Sequence, residues 1–186
     1  MIRLNAPLTA EAIRSLHAGD RVLLSGVIYT ARDAAHARLC AALDAGEELP
    51  VDLHGQTVFY AGPTPTPPGK ACGAIGPTTS MRMDAFTPRL LRYGVNAMIG
   101  KGERGEAVRA AIMETGAVYF AAIGGCAAYM AACVEALEVV AYDDLGTESI
   151  KRLTVRDLPL TVALDAQGGD AYAMGAERYR ELCQNP

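Results

Sequence analysis

The stretch Val95–Gly125, VNAMIGKGERGEAVRAAIMETGAVYFAAIGG, decides the fold expected for this chain. VNAMIG and AVYFAAIGG are short apolar runs bounded by glycine, which is typical of buried strands. GEAVRAAIMETG lies between them, has the apolar spacing of a helix and ends at Gly116. A strand–helix–strand unit of this kind favours parallel pairing of its strands through a right-handed crossover.

The same alternation extends toward the N-terminus. LTAEAIRSLHAGD predicts a helix that is capped by Thr9 and stops at Gly19. RVLLSGVIYT (Arg21–Thr30) and TVFYAG (57–62) read as buried strands, and the Ala/Leu-rich segment 32–44 between them reads as a helix. These units repeat the order strand, helix, strand, so they add parallel strands to the same sheet.

Downstream elements complete the expected domain. Thr87-Pro88 predicts a helix start of the N-cap/N1 kind, and Gly94 ends that helix. CAAYMAACVEALE predicts a helix, VVAYDDLG a strand with its turn, LTVRDLPLTVALDAQGGDAY one or two strands, and AERYRELCQ a closing helix. We therefore expect a single α/β domain over residues 1–186, with a mixed or mostly parallel sheet flanked by helices.

Composition excludes several classes of partner. The chain is 51% apolar and 20% charged, with a net charge of −4, so no basic surface for nucleic acid or an anionic membrane is expected. No apolar run reaches the ~18–20 residues of a membrane span. The N-terminal segment lacks the apolar core of a signal peptide, which predicts a cytoplasmic protein.

The five cysteines do not form a recognisable site in the sequence. An odd number without a CxxC pair argues against a disulfide framework and against zinc or iron–sulfur ligation by this chain, since such sites usually carry a closely spaced pair. Their simplest interpretation is as small buried apolar residues. They are Cys40, Cys72, Cys126, Cys133 and Cys183.

The segment Gly62–Asp84, GPTPTPPGKACGAIGPTTSMRMD, is too rich in proline and glycine for a helix or a central strand. It is either a disordered linker or, as its apolar character and internal position favour, a binding loop. Three segments follow strands and each carries a cation: Arg32, Arg82 and Lys101. Together they would form an anion pocket suited to a small dicarboxylate, whereas separately each is an ordinary surface charge.

Other chemistries fit poorly. Neither GVNAMIGKG nor GPTPTPPGK has the Walker spacing, and no G-x-G-x-x-G follows the first strand, so a nucleotide site is not expected. No GxSxG elbow is present. His36 could pair with Asp33 on one helix face, which would orient the loop. The hydroxyls of Thr78, Thr79 and Ser80 are either reactive groups or hydrogen-bond donors to a bound carboxylate.

Several motifs, taken in order, resemble class I fumarase and L-tartrate dehydratase. The similarity is to the C-terminal domain of the one-chain enzymes and the β subunit of the two-chain ones, and it covers roughly residues 5–175. GPTTSxRMD is a specific motif, and its occurrence with the others makes coincidence improbable. The motifs are GDRVLLSGVIYTARDAAH, YAGPTPTPPGK, GPTTSMRMD, IGKG, AVYFAAIGGCAA and AYDDLGTESIKRLTVRDLPL.

The resemblance implies roles for individual residues. Arg32, Arg82 and Lys101 correspond to the family's carboxylate-binding cations, with Lys101 also counted as catalytic. Thr78, the first threonine of GPTTS, corresponds to a residue proposed as the catalytic base. The resemblance also implies a swivelling-type β/α domain that contributes substrate contacts from its own side of an interface.

Further motif positions have lesser expected roles. Thr79 is expected to contact substrate, and Asp33, His36 and Asp84 to support the site. Cys126 stands where the family usually has alanine and is interpreted as a packing substitution.

The resemblance places the metal outside this chain. A [4Fe–4S] cluster with one open iron would be carried by an α subunit, with this chain binding no cofactor. We therefore expect the β subunit of a hydro-lyase interconverting fumarate and (S)-malate, active with its α subunit and assembled as a dimer of αβ units. The alternatives are an L-tartrate dehydratase β subunit, and a non-catalytic diacid-binding or structural subunit.

Overall fold

The computed structural model describes residues 1–184, and within them the expected strand–helix alternation is present. The strands are β1 (Ile2–Ala6), β2 (Arg21–Thr30), β3 (Thr57–Phe59), β4 (Ala97–Gly100), β5 (Val118–Ala121), β6 (Val134–Ala141) and β7 (Ile150–Leu164). The helices are α1 (Ala10–Arg14), α2 (Asp33–Asp44), α3 (Thr87–Tyr93), α4 (Glu106–Thr115), α5 (Ala127–Ala132) and α6 (Ala171–Gln184), with short 3-10 helices at Ser80–Met83 and Asp143–Glu148. None of the helices in this part of the chain has the length and apolarity to cross a membrane.

The first part of the sheet is parallel, as predicted. β2, β3, β4 and β5 are neighbours in that order, and each adjacent pair runs parallel. β1, which the sequence pattern did not indicate, pairs in parallel with the first half of β2. Because these strands point the same way, the loops that follow β2, β3, β4 and β5 meet at one edge of the sheet.

The long strand β7 closes the sheet into a barrel-like ring. It pairs antiparallel with β2 along most of that strand and, farther along, antiparallel with β5. β2 bends at an irregularity between Leu24 and Gly26, as bulged strands do. Gly26 has φ +102°, and a Cβ there would collide with the backbone of Ala6, so glycine is required. The result is a mixed sheet flanked by helices, in agreement with the predicted fold class.

The strands β3, β4 and β5 are buried on both faces. Phe59, Ile99 and Phe120 belong to the core inside the ring, together with residues of β2 and β7. The alternate positions Val58 and Met98 belong to a second core, formed with α2, α3 and α4. Two-sided burial explains why these strands read as continuous apolar runs in the sequence.

One helix prediction is wrong over its second half. CAAYMAACVEALE was expected to be a helix throughout, but α5 ends at Ala132 and the chain continues as β6. Val134 is buried, and β6 pairs antiparallel with β7 while Glu138 forms an ion pair with Arg152. Pairing with a distant strand overrides the helical preference of an Ala/Glu-rich segment, since propensity is a weak local term.

Most predicted helix ends are close to the observed ones. Thr9 caps α1, since its hydroxyl accepts a hydrogen bond from the Ala12 amide, although the helix stops at Arg14 rather than Gly19. Gly116 takes the left-handed conformation after α4. Thr87, expected as an N-cap, is instead the first residue of α3, and its hydroxyl donates to the Met83 carbonyl.

Candidate functional site

The segments predicted to form an anion pocket converge at the edge where the parallel strands end. Arg32 follows β2, and Lys101 follows β4 directly. The loop that carries Thr78 joins the same edge, because the Thr78 amide donates to the carbonyl of Tyr60, just after β3, at 2.7 Å. The Gly62–Asp84 segment is therefore an ordered loop laid across the strand ends, not a disordered linker.

Thr79 and Lys101 are paired directly. They form an isolated parallel bridge, and the Ser80 amide donates to the Lys101 carbonyl at 2.9 Å. This contact requires glycine at the end of β4, because a Cβ on Gly100 would overlap the Ser80 hydroxyl. Thr78 is half-buried and Thr79 is exposed. Within residues 1–184, neither threonine hydroxyl has a hydrogen-bond partner, so both are available to a ligand.

Two of the three cations share one carboxylate. Arg82 Nε donates to Asp33 Oδ1 at 2.8 Å, and Arg32 Nε lies 3.8 Å from Asp33 Oδ2. Arg32 also lies 3.5 Å from Glu148 Oε1. Arg32 Nε and Asp33 Oδ2 are buried without a hydrogen-bond partner among the described residues. The two unmet atoms lie 3.8 Å apart, so the Arg32–Asp33 contact is an ion pair without a hydrogen bond.

Lys101 is the third cation, and it has no carboxylate within ion-pair distance in the described part of the chain. It is half-buried, and an added Cβ on Gly124, after β5, would lie 3.6 Å from its Nζ. The three cations Arg32, Arg82 and Lys101 outnumber the two carboxylates of Asp33 and Glu148. These five groups therefore carry a net positive charge. That balance suits an anionic ligand.

His36 lies behind this cluster and does not pair with Asp33 as expected. Its Nδ1 is 3.0 Å from the Arg32 carbonyl, and its ring meets that of Tyr60 edge-on, with centroids 5.1 Å apart. Burial lowers the pKa of His36 to about 4. The ring is therefore neutral near pH 7, and Nδ1–H is the donor because the only acceptor at that nitrogen is a carbonyl.

Asp84 ties two of the loops together. Its Oδ1 accepts from Arg104 Nε at 2.7 Å, and its Oδ2 accepts from the Gly105 amide at 2.6 Å. Gly100 ends β4, and together with Gly102 and Gly105 it has the spacing G-x-G-x-x-G, which in dinucleotide-binding domains leads a phosphate to a helix N-terminus. In this protein the carboxylate of Asp84 lies at the corresponding position, just before α4. The Gly105 amide therefore binds an anionic side chain of the protein itself.

Arg104 is a site-supporting residue that sequence reasoning missed. Its side chain is fully buried, between the rings of Tyr60 and Tyr119 at 5.3 and 5.0 Å, and it donates to Thr87 Oγ1 at 2.8 Å. The Tyr119 hydroxyl in turn lies 3.0 Å from Ser80 Oγ, and burial raises its pKa. A buried arginine in a polar loop carries no local signal that separates it from a surface charge.

The chain does not assemble a ligand set for a metal cluster. No group of three or more His, Cys, Asp or Glu side chains within residues 1–184 could hold a metal ion. Cys40 and Cys72 are buried, as expected of small apolar residues, but Cys126 and Cys133 are half-buried and Cys183 is exposed. The described residues therefore do not fit a [4Fe–4S] cluster, and no chemical step is assigned to one on this chain.

The fold and the site define an α/β domain in which cations and hydroxyls meet at the ends of its parallel strands. Residues 1–175 match the family described as Fumarase C-terminus. The chain belongs to this family.

Three relatives illustrate the range of the family. A protein of Geobacillus stearothermophilus that is named as a class I fumarate hydratase is 38% identical over 92% of this chain and 34% of its own length. The anaerobic class I fumarate hydratase of Escherichia coli is 40% identical over 82% of this chain and 28% of its own length. A protein of Methanocaldococcus jannaschii named L(+)-tartrate dehydratase subunit beta is 37% identical over 89% of this chain and 88% of its own length. The chain thus spans about a third of the fumarate hydratases and nearly all of the subunit.

Proposed function

We propose that this chain is the carboxylate-binding half of a hydro-lyase that interconverts fumarate and (S)-malate. The observation that carries the proposal is the convergence of Arg32, Arg82 and Lys101 with the free hydroxyl of Thr78 at one edge of the sheet. Relatives named as fumarate hydratases and as a tartrate dehydratase subunit support a hydro-lyase reaction. The substrate and the roles of the residues are part of the proposal.

The cations have two tasks in this mechanism. At rest they bind the carboxylates of the diacid, with the arginines as planar forks and Lys101 as a point charge. When the C–H beside a carboxylate loses its proton, negative charge moves onto that carboxylate. Cations held beside it stabilise this transition state more than the ground state, which accelerates the reaction.

Thr78 is the proposed proton acceptor. An alcohol is a weak base unless a neighbouring cation or a relay partner assists it. The backbone bridge between Thr79, the residue after Thr78, and Lys101 supports Lys101 as the proposed cation. The Thr78 amide is fixed by the Tyr60 carbonyl, which limits the positions open to its hydroxyl. Water addition in the reverse direction would return the proton from the same oxygen.

A partner subunit is also proposed. The site is open, since the Arg82 side chain is 52% exposed, and apolar side chains flank it: Met81 is 60% and Ile123 is 73% exposed. Exposed apolar groups around a polar site suit a protein that closes over it. We propose an α subunit that carries the [4Fe–4S] cluster and a dimer of αβ units as the assembly. Cytoplasmic location, and no binding to nucleic acid or membrane, remain predictions.

Assay of the protein with its co-expressed partner tests the function. Purified without oxygen, the complex should hydrate fumarate. Replacement of Arg82 by alanine in this chain should abolish turnover while the complex stays assembled. A second candidate is L-tartrate dehydration, favoured by the M. jannaschii relative, which is named as a tartrate dehydratase subunit. Oxaloacetate production from tartrate in preference to malate formation would select it. An intact, cluster-loaded complex that is inactive on both but binds diacids would indicate a binding subunit instead.

A further inference from the structure

The helix that follows Arg32 is capped from a distant part of the chain. Arg32 is the N-cap residue of α2, yet its own side chain makes no capping hydrogen bond. Glu148 Oε2 instead accepts from the Ala34 amide at 3.0 Å, although the two residues are 114 positions apart in the sequence. The other oxygen of Glu148 lies 3.5 Å from Arg32 Nη2. A carboxylate at this position meets both the free amides of the helix start and the guanidinium.

Lys151 holds the turn that carries Glu148. It is 94% buried, and its Nζ donates to the carbonyls of Gly146 at 2.9 Å and Thr147 at 3.2 Å and to Ser149 Oγ at 2.6 Å. Burial lowers the pKa of Lys151. An ammonium group surrounded by oxygens from one short turn fixes the path of that turn, because each buried donor left unpaired would be costly.

The turn also touches Arg32 through close packing. A Cβ on Gly62, which follows β3, would lie 2.7 Å from the Thr147 carbonyl and 3.2 Å from Arg32 Nη1. Only glycine leaves room for the turn and the guanidinium to approach each other here. Arg32 is therefore enclosed by the turn, the β3 loop and the start of its own helix, with its side chain 21% exposed.

We propose that Glu148 is a positioning residue for Arg32, and that Lys151 holds Glu148 in place. The proposal rests on the proposed function, in which Arg32 binds a substrate carboxylate. Glu148 touches no substrate. It fixes the helix start and the orientation of the guanidinium that would meet the substrate carboxylate.

A role for Glu148 as a simple counter-ion predicts the opposite effect on anion affinity from a positioning role. If Glu148 acted only as a counter-ion, its neutralisation would raise the positive potential of the site and tighten anion binding. If Glu148 positions Arg32, neutralisation weakens binding, because the guanidinium loses a charged partner and becomes free to move. The sign of the change in anion affinity therefore distinguishes a counter-ion role of Glu148 from a positioning role.

The test compares Glu148→Gln with Asp144→Asn in the protein bound to its partner. Both substitutions remove one negative charge from the same turn, but Asp144 pairs with Arg38 at the surface and lies away from Arg32. Calorimetry with succinate, an unreactive dicarboxylate, should give a Kd raised about tenfold for Glu148→Gln, because the guanidinium of Arg32 loses its ion-pair partner. Asp144→Asn should leave the Kd for succinate unchanged. An equal or lower Kd for Glu148→Gln overturns the positioning role.

Amide hydrogen exchange gives a second readout that does not depend on substrate. Exchange at Ala34 should become faster in Glu148→Gln and in Lys151→Met, and remain unchanged in Asp144→Asn. Unchanged exchange at Ala34 in Glu148→Gln would refute the positioning role, and unchanged exchange in Lys151→Met alone would refute the role of Lys151. If the wild-type complex fails to bind succinate, fumarate and malate, the proposed function fails, while the exchange data still decide whether Glu148 holds the helix start.

Discussion

Arg104 and Asp84 form an ion pair of 2.7 Å that joins the loop after β4 to the loop carrying Thr78. The arginine side chain has no exposed surface, whereas the carboxylate is 18% exposed. Because the same carboxylate also accepts the Gly105 amide, two loops that contribute to the candidate site depend on one anion. The geometry of the site is thus linked to the buried polar network behind it.

Replacement of Arg104 by methionine should destabilise the fold strongly. The change leaves Asp84 Oδ1 without its charged partner and removes a donor to Thr87 Oγ1. Breaking a buried ion pair from one side costs about 3 kcal/mol. The free energy of unfolding in urea measures this loss of stability. Arg92→Met is the control, since Arg92 pairs with Glu114 at the surface and such pairs contribute about 0–1 kcal/mol. Equal losses in the two variants would contradict a structural role for Arg104.

Replacement of Arg82 by lysine should reduce activity while the fold survives. Lysine keeps the charge but lacks the planar fork that contacts Asp33 and, in the proposed mechanism, a substrate carboxylate. We expect kcat/KM for fumarate to fall by about 10- to 100-fold, from steady-state kinetics of the complex. Arg89→Lys, at a surface pair with Asp44, should behave as wild type. Near-normal kinetics for Arg82→Lys would remove Arg82 from the site.

The Thr78 hydroxyl should matter for turnover rather than for binding. Thr78→Val keeps the shape and removes the oxygen, so kcat should fall by about 10²–10⁴-fold, the range for loss of a general base. Thr78→Ser keeps a hydroxyl and should retain much of the activity. Succinate affinity should change little in either variant. If the valine and serine variants are equally active, the proton acceptor is another group.

His36 should make stability fall in acid. Its pKa is about 4 in the folded protein, below the ordinary value of 6.5, so the unfolded chain binds the proton more readily. The stability contributed by the neutral His36 ring is complete above pH ~6.5 and is lost as the pH falls toward ~4. At pH ~4.5 the free energy of unfolding should be lower by about 2–3 kcal/mol.

Urea unfolding at pH 7 and at pH 4.5 checks this, with His36→Gln as the reference that lacks the titrating ring. The wild type should lose more stability than the variant between the two pH values. Parallel losses would mean that His36 is not buried as a neutral ring.

The sequence by itself determined the parallel part of the fold. Apolar runs bounded by glycine and alternating with helical patterns indicated β2, β3, β4 and β5, because two-sided burial leaves a continuous local signal. The position of the long loop also followed from the sequence, since proline and glycine disfavour α-helix and central strand in Gly62–Asp84. The motifs of that loop, taken with those along the rest of the chain, indicated the family, which the comparison with known proteins confirmed.

Only the tertiary structure decided how the sheet closes and what holds the site. β7 reaches β2 and β5 across most of the chain, and Val134 begins a strand because a partner strand is present there. Local periodicity carries no information about such distant pairings. The same holds for Arg104 and Glu148, which look like surface charges in the sequence. Their roles arise from burial and from partners that are brought to them by the fold, and neither is encoded in neighbouring residues.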